Sequence, residues 1–375
     1  MLKYRNLLLP LALLALALPS RADDSAASVS TGGIILTREA RITMAKEVLV
    51  ISLAKITVDY DFRNDTDQNI TTEVAFPVPP YNAGEDFTAS GMRPFDDFKL
   101  WVEGKPEKYE VESKAMLNGH DYTSLLTKLG VDVPSLGHYV SGDTLIVHDY
   151  DKLSKVNKEQ LIRLGLIDAD GNGPAGPRPN VEPLWTVEKK YHWLQTFPAH
   201  SITRIRHEYS PAFGFEYINA NLLSKQGQDA AMAEALAIQQ KDKTYDESGY
   251  IKSEIAILQS ACIDPSLQRR LLAVVTNNNT IPLKNIAGDA MPTEWVDFIL
   301  TTANSWKTPI EDFELIVDKS VAPNWVNKPQ YVSFCWDGPV KKLDATHFQA
   351  TATNFVPKQE LHILFLSANK PTPEK

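Results

Sequence analysis

Residues 48–80 constrain the fold of this chain more than any other stretch. Ile56, Val58, Tyr60 and Phe62 alternate with Thr57, Asp59, Asp61 and Arg63, the two-residue period of a strand with one buried face and one wet face. Asn64-Asp65-Thr66-Asp67-Gln68-Asn69 supplies turn chemistry. Residues 70–76 are expected to return as the antiparallel partner, stopped by Pro77, Pro79 and Pro80. A second hairpin is expected from 98–102 and 109–111, turning at Gly104-Lys105-Pro106. A third pairs the face shared by Trp185, Val187, Lys189, Tyr191 and Trp193 with the returning Ile205, His207 and Tyr209.

Helical signals sit between the strands. Asn157 with Gln160 three positions on reads as a capping box, and Gly165 closes that helix. Further helices are expected over 228–240 and from Asp264-Pro265 to Thr276, where Leu267, Leu271, Val274 and Val275 share one side. These should cover a sheet. The last hundred residues revert to strands at 296–301, 313–317, 331–336, 348–353 and 361–366. Short strands that do not alternate with helices favour a mainly β, antiparallel β-sandwich-like domain with helical insertions over a doubly wound parallel sheet.

The first 22 residues read as an export signal. Lys3 and Arg5 precede an unbroken apolar run over 7–18, and Ser20-Arg21-Ala22 puts small residues at both recognition positions of a cleavage site. The run is shorter than the roughly 20 residues a membrane-spanning helix needs. Cleavage after Ala22 leaves 353 of the 375 residues and removes Lys3, Arg5 and Arg21, taking the formal charge from -9 to -12. Such an acidic chain, with no basic block, is a poor partner for nucleic acid. No later run is long enough to cross a membrane as a helix, so a soluble periplasmic or secreted product is expected.

Cys262 and Cys335 are the only cysteines. In an exported chain they read as a disulfide. The competing reading is a reactive thiol at Cys262, just before the helix start at Asp264-Pro265.

Several runs resemble a known family. Ser30-Thr31-Gly32-Gly33-Ile34-Ile35-Leu36-Thr37, Val74-Ala75-Phe76-Pro77-Val78-Pro79, Gly119-His120-Asp121-Tyr122-Thr123, Asn304-Ser305-Trp306-Lys307-Thr308-Pro309-Ile310, Leu315-Ile316-Val317-Asp318-Lys319 and Val332-Ser333-Phe334-Cys335-Trp336-Asp337-Gly338 are similar to the bacterial family catalogued as domain of unknown function 4424. The resemblance implies a bacterial exported protein with a single family domain over 23–375. It supplies no reaction, ligand or catalytic residue. Within that span the patterning divides into a β-meander (23–118), a helical insertion and linker (119–183), a β-hairpin (184–220), a helical segment (221–280) and C-terminal strands (281–375).

Local motifs add little chemistry. Asp168-Ala169-Asp170-Gly171-Asn172-Gly173 reproduces the opening of a calcium loop, with oxygen ligands at Asp168, Asp170 and Asn172 and a glycine for the bend. Its twelfth position is Pro179 in place of the bidentate glutamate, which favours a solvated turn and no cofactor. Gly171 to Gly176 spells a dinucleotide fingerprint without its strand and helix, and Ser52-Leu53-Ala54-Lys55 lacks the partner motifs of a serine acyl-enzyme. His192, His200 and His207 surround the aromatic strands, but His192 has opposite parity to Tyr191 and Trp193 while His207 shares parity with Ile205 and Tyr209. They need not converge. The seven tryptophans, 101, 185, 193, 295, 306, 325 and 336, are expected mostly in the core, with a ligand groove as the competing role.

The resulting expectation is a non-enzymatic cell-envelope protein that binds a small ligand or an envelope protein, the latter by strand addition near residues 48–62. The alternative is an exported hydrolase with dispersed residues drawn from Cys262, Cys335, His192 and His207.

Overall fold

Three larger sheets, two two-stranded ladders and a helical layer make up the computed structural model, which describes residues 25–30, 33–83, 95, 97–134, 138–140, 144–146, 148–170, 180–241, 247–276, 290–323, 325 and 327–367. The first sheet has the order Val340–Lys342, His347–Phe355, Ile310–Asp318, Ile42–Ile51, Ile56–Asn64, Ser201–Tyr209, Lys99–Val102, Lys105–Pro106. It is antiparallel except where Ile310–Asp318 runs parallel to Ile42–Ile51. The second has the order His120–Asp121, Glu110–Leu117, Thr186–Phe197, Ile70–Pro77, Ser25–Ser30, Gly33–Thr37, with Tyr81–Asn82 also on Thr186–Phe197. The third has the order Gly214–Asn219, Ala290–Phe298, Leu361–Leu366, Tyr331–Ser333. The expected mainly β, sandwich-like class with helical insertions is what the chain forms.

The first two sheets face each other through the predicted apolar parity. Tyr60, Phe62, His207 and Tyr209 of the first meet Phe76, Tyr191, Trp193 and Phe197 of the second, all buried. Phe62 lies 5.7 Å from Phe197, Phe76 4.8 Å from His207 and Trp193 5.5 Å from His207, measured between ring centres. Each such phenylalanine ring contributes about 1.5–3 kcal/mol by leaving water.

The pairing of these strands differs from the expected hairpins. Ile56–Asn64 does not pair with Ile70–Pro77, nor Thr186–Phe197 with Ser201–Tyr209. Ile56–Asn64 pairs with Ser201–Tyr209, and Ile70–Pro77 pairs with Thr186–Phe197. Each expected hairpin is therefore an arch that crosses from one sheet to the other, and the two arches stack. Alternation says only that one face of a strand is buried; a hairpin and an arch satisfy it equally. The same correction applies to 98–111, where Lys99–Val102 pairs with Lys105–Pro106 and Glu110–Leu117 crosses to the second sheet. Strand addition near 48–62 is also corrected, because Ile42–Ile51 and Ile56–Asn64 are both flanked on two sides by other strands.

The stacked turns are tied by Asn64, which is fully buried and donates from Nδ2 to the carbonyls of Gln68 (2.8 Å) and Phe197 (2.9 Å). Its Oδ1 accepts from Thr66 N and Oγ1. Asn69 Oδ1 accepts from Ala199 N at 2.9 Å, joining the two turns a second time.

The helical layer covers the third sheet, as expected. Lys225–Lys241, Glu247–Ser260 and Pro265–Thr276 follow one another, and Leu258, Leu267 and Leu271 pack with Ile218, Met291, Leu364 and Leu366 in a second core. Asp264 Oδ1 caps the last helix by accepting from Ser266 N and Leu267 N. In the insertion, the helix Lys155–Arg163 is capped by Ser154, whose hydroxyl accepts from Asn157 N at 3.2 Å. The cap lies three residues before the expected Asn157. Among the described residues no helix is long and apolar enough to cross a membrane.

Candidate functional site

The residues singled out in the sequence do not assemble into one site. Cys262 and Cys335 form a disulfide with their Cα atoms 4.9 Å apart, and this removes the thiol. It joins the turn between the last two helices to the segment after Tyr331–Ser333. Ser333 Oγ donates to Ala261 O beside it at 2.9 Å.

The three histidines lie in three environments. His207 is fully buried among Tyr60, Phe76, Phe98 and Trp193, and burial lowers its pKa to about 3. It is neutral at any physiological pH. His192 points to the opposite face of its strand and meets Glu73 Oε1 at 2.7 Å. His200 pairs with Asp67 at the exposed arch turns.

Ser52 and Lys55 form the tight turn between two strands, with Ser52 Oγ donating to Lys55 O and accepting from Lys55 N. Asp168 and Asp170 lie in the short ladder of Ile167–Asp170 with Asn180–Pro183. Asn172 and the glycine fingerprint from 171 to 176 fall outside the described residues. Among the described residues no cluster of three or more His, Cys, Asp or Glu side chains is placed to hold a metal ion.

Among the described residues are two cavities of similar size. One, of about 380 Å³, is lined by Ser25, Thr37, Thr301, Asn304 and Ser305 among others. Much of its polar lining is committed to the fold. Ser25 Oγ donates to Ser305 Oγ, Thr301 Oγ1 to Glu360 and Asn304 Nδ2 to Pro357 O.

The other, of about 370 Å³, lies where the edge of the second sheet at Pro79–Asn82 meets the edge of the third at Gly214–Asn219 and the helix Glu247–Ser260. Tyr81, Phe213, Phe215 and Trp295 line it together with Glu216 and Asp297. Its volume falls at the lower end of the range for small-molecule sites.

The local sequence places each of these groups. Pro79 and Pro80 end the preceding strand, so the chain re-enters as the short pair Tyr81–Asn82 against Thr186 and Val187. Asp97 accepts from both Ser210 N (2.7 Å) and Ser210 Oγ (2.8 Å), fixing the approach to Phe213. Trp295 pairs across the ladder with Gly214 and lies over it. A Cβ on Gly214 would come within 1.9 Å of the indole. Glycine is required here by close approach, and the ring plane is set by the absence of a side chain beneath it.

The electrostatics of this groove are acidic. Asp297 accepts from His362 Nδ1 at 2.6 Å, and that bond raises the histidine pKa against the opposing effect of burial. Behind Glu216 sits Glu254 on the helix, 4% exposed. Burial, with added repulsion from Glu216 and Glu247, pushes its carboxyl up to about 7.

Because that value exceeds the roughly 4.3 of an unfolded glutamate, the folded chain retains the proton between the two. The stabilisation is complete below the lower value and is lost as pH rises through about 7. Glu254→Gln is therefore expected to gain on the order of 2 kcal/mol relative to the parent between pH 5 and pH 8.5. Urea titrations at both pH values would show it, and equal differences at the two would refute the assignment.

Trp295 was visible in the sequence only as one of seven tryptophans. Glu216, Asp297 and His362 carried no motif. The usable signal was the shared parity of Thr293, Trp295 and Asp297, which the expected strand start at 296 cut in two. Trp185, Trp193 and Trp306, three of the seven, are buried; Trp295, Trp325 and Trp336 are half-buried and pack against the two cores, and Trp101 is half-buried.

The sequence profile of the family described as Domain of unknown function (DUF4424) matches residues 22–364. A solved structure from Legionella pneumophila subsp. pneumophila str. Philadelphia 1, described as a candidate nutrient binding protein, is similar at 14% identity and a TM-score of 0.37. The match covers 92% of this chain and 72% of that one. Likeness of this degree bears on neither ligand nor mechanism. No curated protein matches the sequence.

Proposed function

We propose that this chain, which belongs to the family described as Domain of unknown function (DUF4424), is an exported cell-envelope protein that binds a small ligand in the groove at Trp295 without transforming it. The observation that carries the reading is one cavity of about 370 Å³ lined by Trp295, Tyr81 and Phe213 together with the carboxylate residues Glu216 and Asp297. Rings supply contact area and carboxylates supply orientation, the usual division of labour in a small-molecule site. Export is supported by the leader-like first 22 residues and by a disulfide, which persists in oxidising compartments.

The reading is tested by thermal-shift measurements on the mature protein against a panel of amines, sugars, amino acids and organic acids. At least one compound should raise the melting temperature of the parent, because a ligand at one hundred times its Kd adds about 2.7 kcal/mol. The shift should vanish in Trp295→Ala. A panel without a hit, or a hit that persists in the variant, would refute the groove as the ligand site.

The hydrolase alternative draws its support from Asp297, which lines the groove, and from His362, which pairs with it from outside the lining. Turnover of a panel substrate, lost in His362→Asn while binding is retained, would favour it.

A further inference from the structure

We infer that the groove at Trp295 selects a ligand bearing a positively charged amine or quaternary ammonium group, a statement that rests on the groove being the ligand site. Among its described lining residues there is no lysine, arginine or histidine, while two carboxylate residues and the aromatic residues Trp295, Tyr81 and Phe213 are present. A ring face carries negative electrostatic potential, and a cation within about 6 Å of its centre is attracted to it, tryptophan being the strongest of the rings. Ring faces and carboxylates thus favour the same ligand charge. An anionic ligand would meet repulsion from both.

Three further features sharpen the assignment. The indole of Trp295 lies over Gly214, so its orientation is built into the ladder and need not be organised by the ligand. Asp297 shares its charge with His362, whereas no lysine, arginine or histidine among the described residues forms an ion pair with Glu216. Glu216 Oε1 accepts from Tyr217 N at 2.9 Å, which leaves its charge uncompensated by any cationic side chain among the described residues and Oε2 to meet an incoming cation. Glu216 is half-buried on the edge strand, where a charge interacts more strongly than at full exposure. Finally, the formal charge of the whole chain is -9, which favours the encounter with cations at low salt.

A neutral sugar would use the same rings and could donate hydroxyl hydrogen bonds to the carboxylates. It would gain nothing from the negative potential of the ring faces, and this difference can be measured.

The probes are choline, its uncharged carbon isostere 3,3-dimethylbutan-1-ol, spermidine and maltose, titrated into the mature protein and followed by tryptophan fluorescence and calorimetry. Choline or spermidine is expected to bind at least tenfold more tightly than the isostere and maltose, with affinity falling as salt is added. Trp295→Ala and Glu216→Gln should each weaken the cation at least tenfold, and Gly214→Ala should weaken it by tilting the indole. If Trp295→Ala does not fold, Glu216→Gln at the half-buried edge-strand position still decides the matter.

Isostere or maltose binding as tight as that of the cations, and lost in Trp295→Ala, would overturn the charge selection and leave the groove as a ligand site. The same holds if a compound from the broader panel occupies the groove while neither cation does. Absence of any Trp295-dependent binding, by these probes or by the panel, would overturn the groove reading as well.

Discussion

Replacing Cys262 and Cys335 together by serine is expected to lower the unfolding free energy by about 4 kcal/mol, the chain-entropy value for a loop of this span. The bond closes 73 positions of sequence, so its main effect is on the denatured chain, which becomes free to expand. In the folded state the serines keep the neighbouring contacts, among them Ser333 Oγ to Ala261 O. The consequence should be uneven across the molecule. The helices Glu247–Ser260 and Pro265–Thr276 lose their covalent tie to the third sheet, so their amide hydrogens should exchange faster than those of the two facing sheets. Urea unfolding should show a lower midpoint and a steeper slope, because more surface is exposed on unfolding. A loss below about 1 kcal/mol would mean that the helical layer is held by its apolar contacts alone.

Asn64→Ala is expected to cost about 3–4 kcal/mol, although it removes a single polar side chain. The amide is fully buried and makes four hydrogen bonds, two given to carbonyls and two accepted from Thr66. Each buried group left without a partner costs roughly 1–3 kcal/mol, and some of these will recover water at the arch turns. The loss loosens both arches at once, because Phe197 O belongs to the second arch. Asn69→Ala is the control: it removes one bond, to Ala199 N, at an exposed position, and should cost under about 1 kcal/mol. Equal losses in the two variants would show that Asn64 does not hold the arches together.

The groove was illegible for a different reason from the arches. Its carboxylates Glu216 and Asp297 stand 81 positions apart in sequence, and Tyr81 lies farther still from both. No spacing rule links such residues, since they meet only because two sheet edges meet. The arches were illegible because the information that separates them from hairpins lies in the facing sheet. Ile56 to Phe62 alternates in the same way whether its partner is the next strand or one from Ser201–Tyr209. Helix starts fared better, because a cap is a local bond. Asp264 before Pro265 is readable directly, whereas Ser154 and Asn157 compete for the cap because both positions carry a capping residue type, and only the structure assigns it to Ser154.

The sequence by itself determined the alternating strands of the two facing sheets, the faces they bury, the mainly β class and the cysteine pair, because these depend on two-residue periodicity and composition; the edge strand Gly214–Asn219 and the start of Ala290–Phe298 were not among them. Only the tertiary structure decided which strands pair, that His207 is a neutral core residue while His192 meets a glutamate on the far side of its sheet, and that Trp295 lies over a glycine at the mouth of an acidic groove. Those outcomes depend on which distant surfaces close against one another. That choice is made by the packing of the whole core and leaves no local pattern to read.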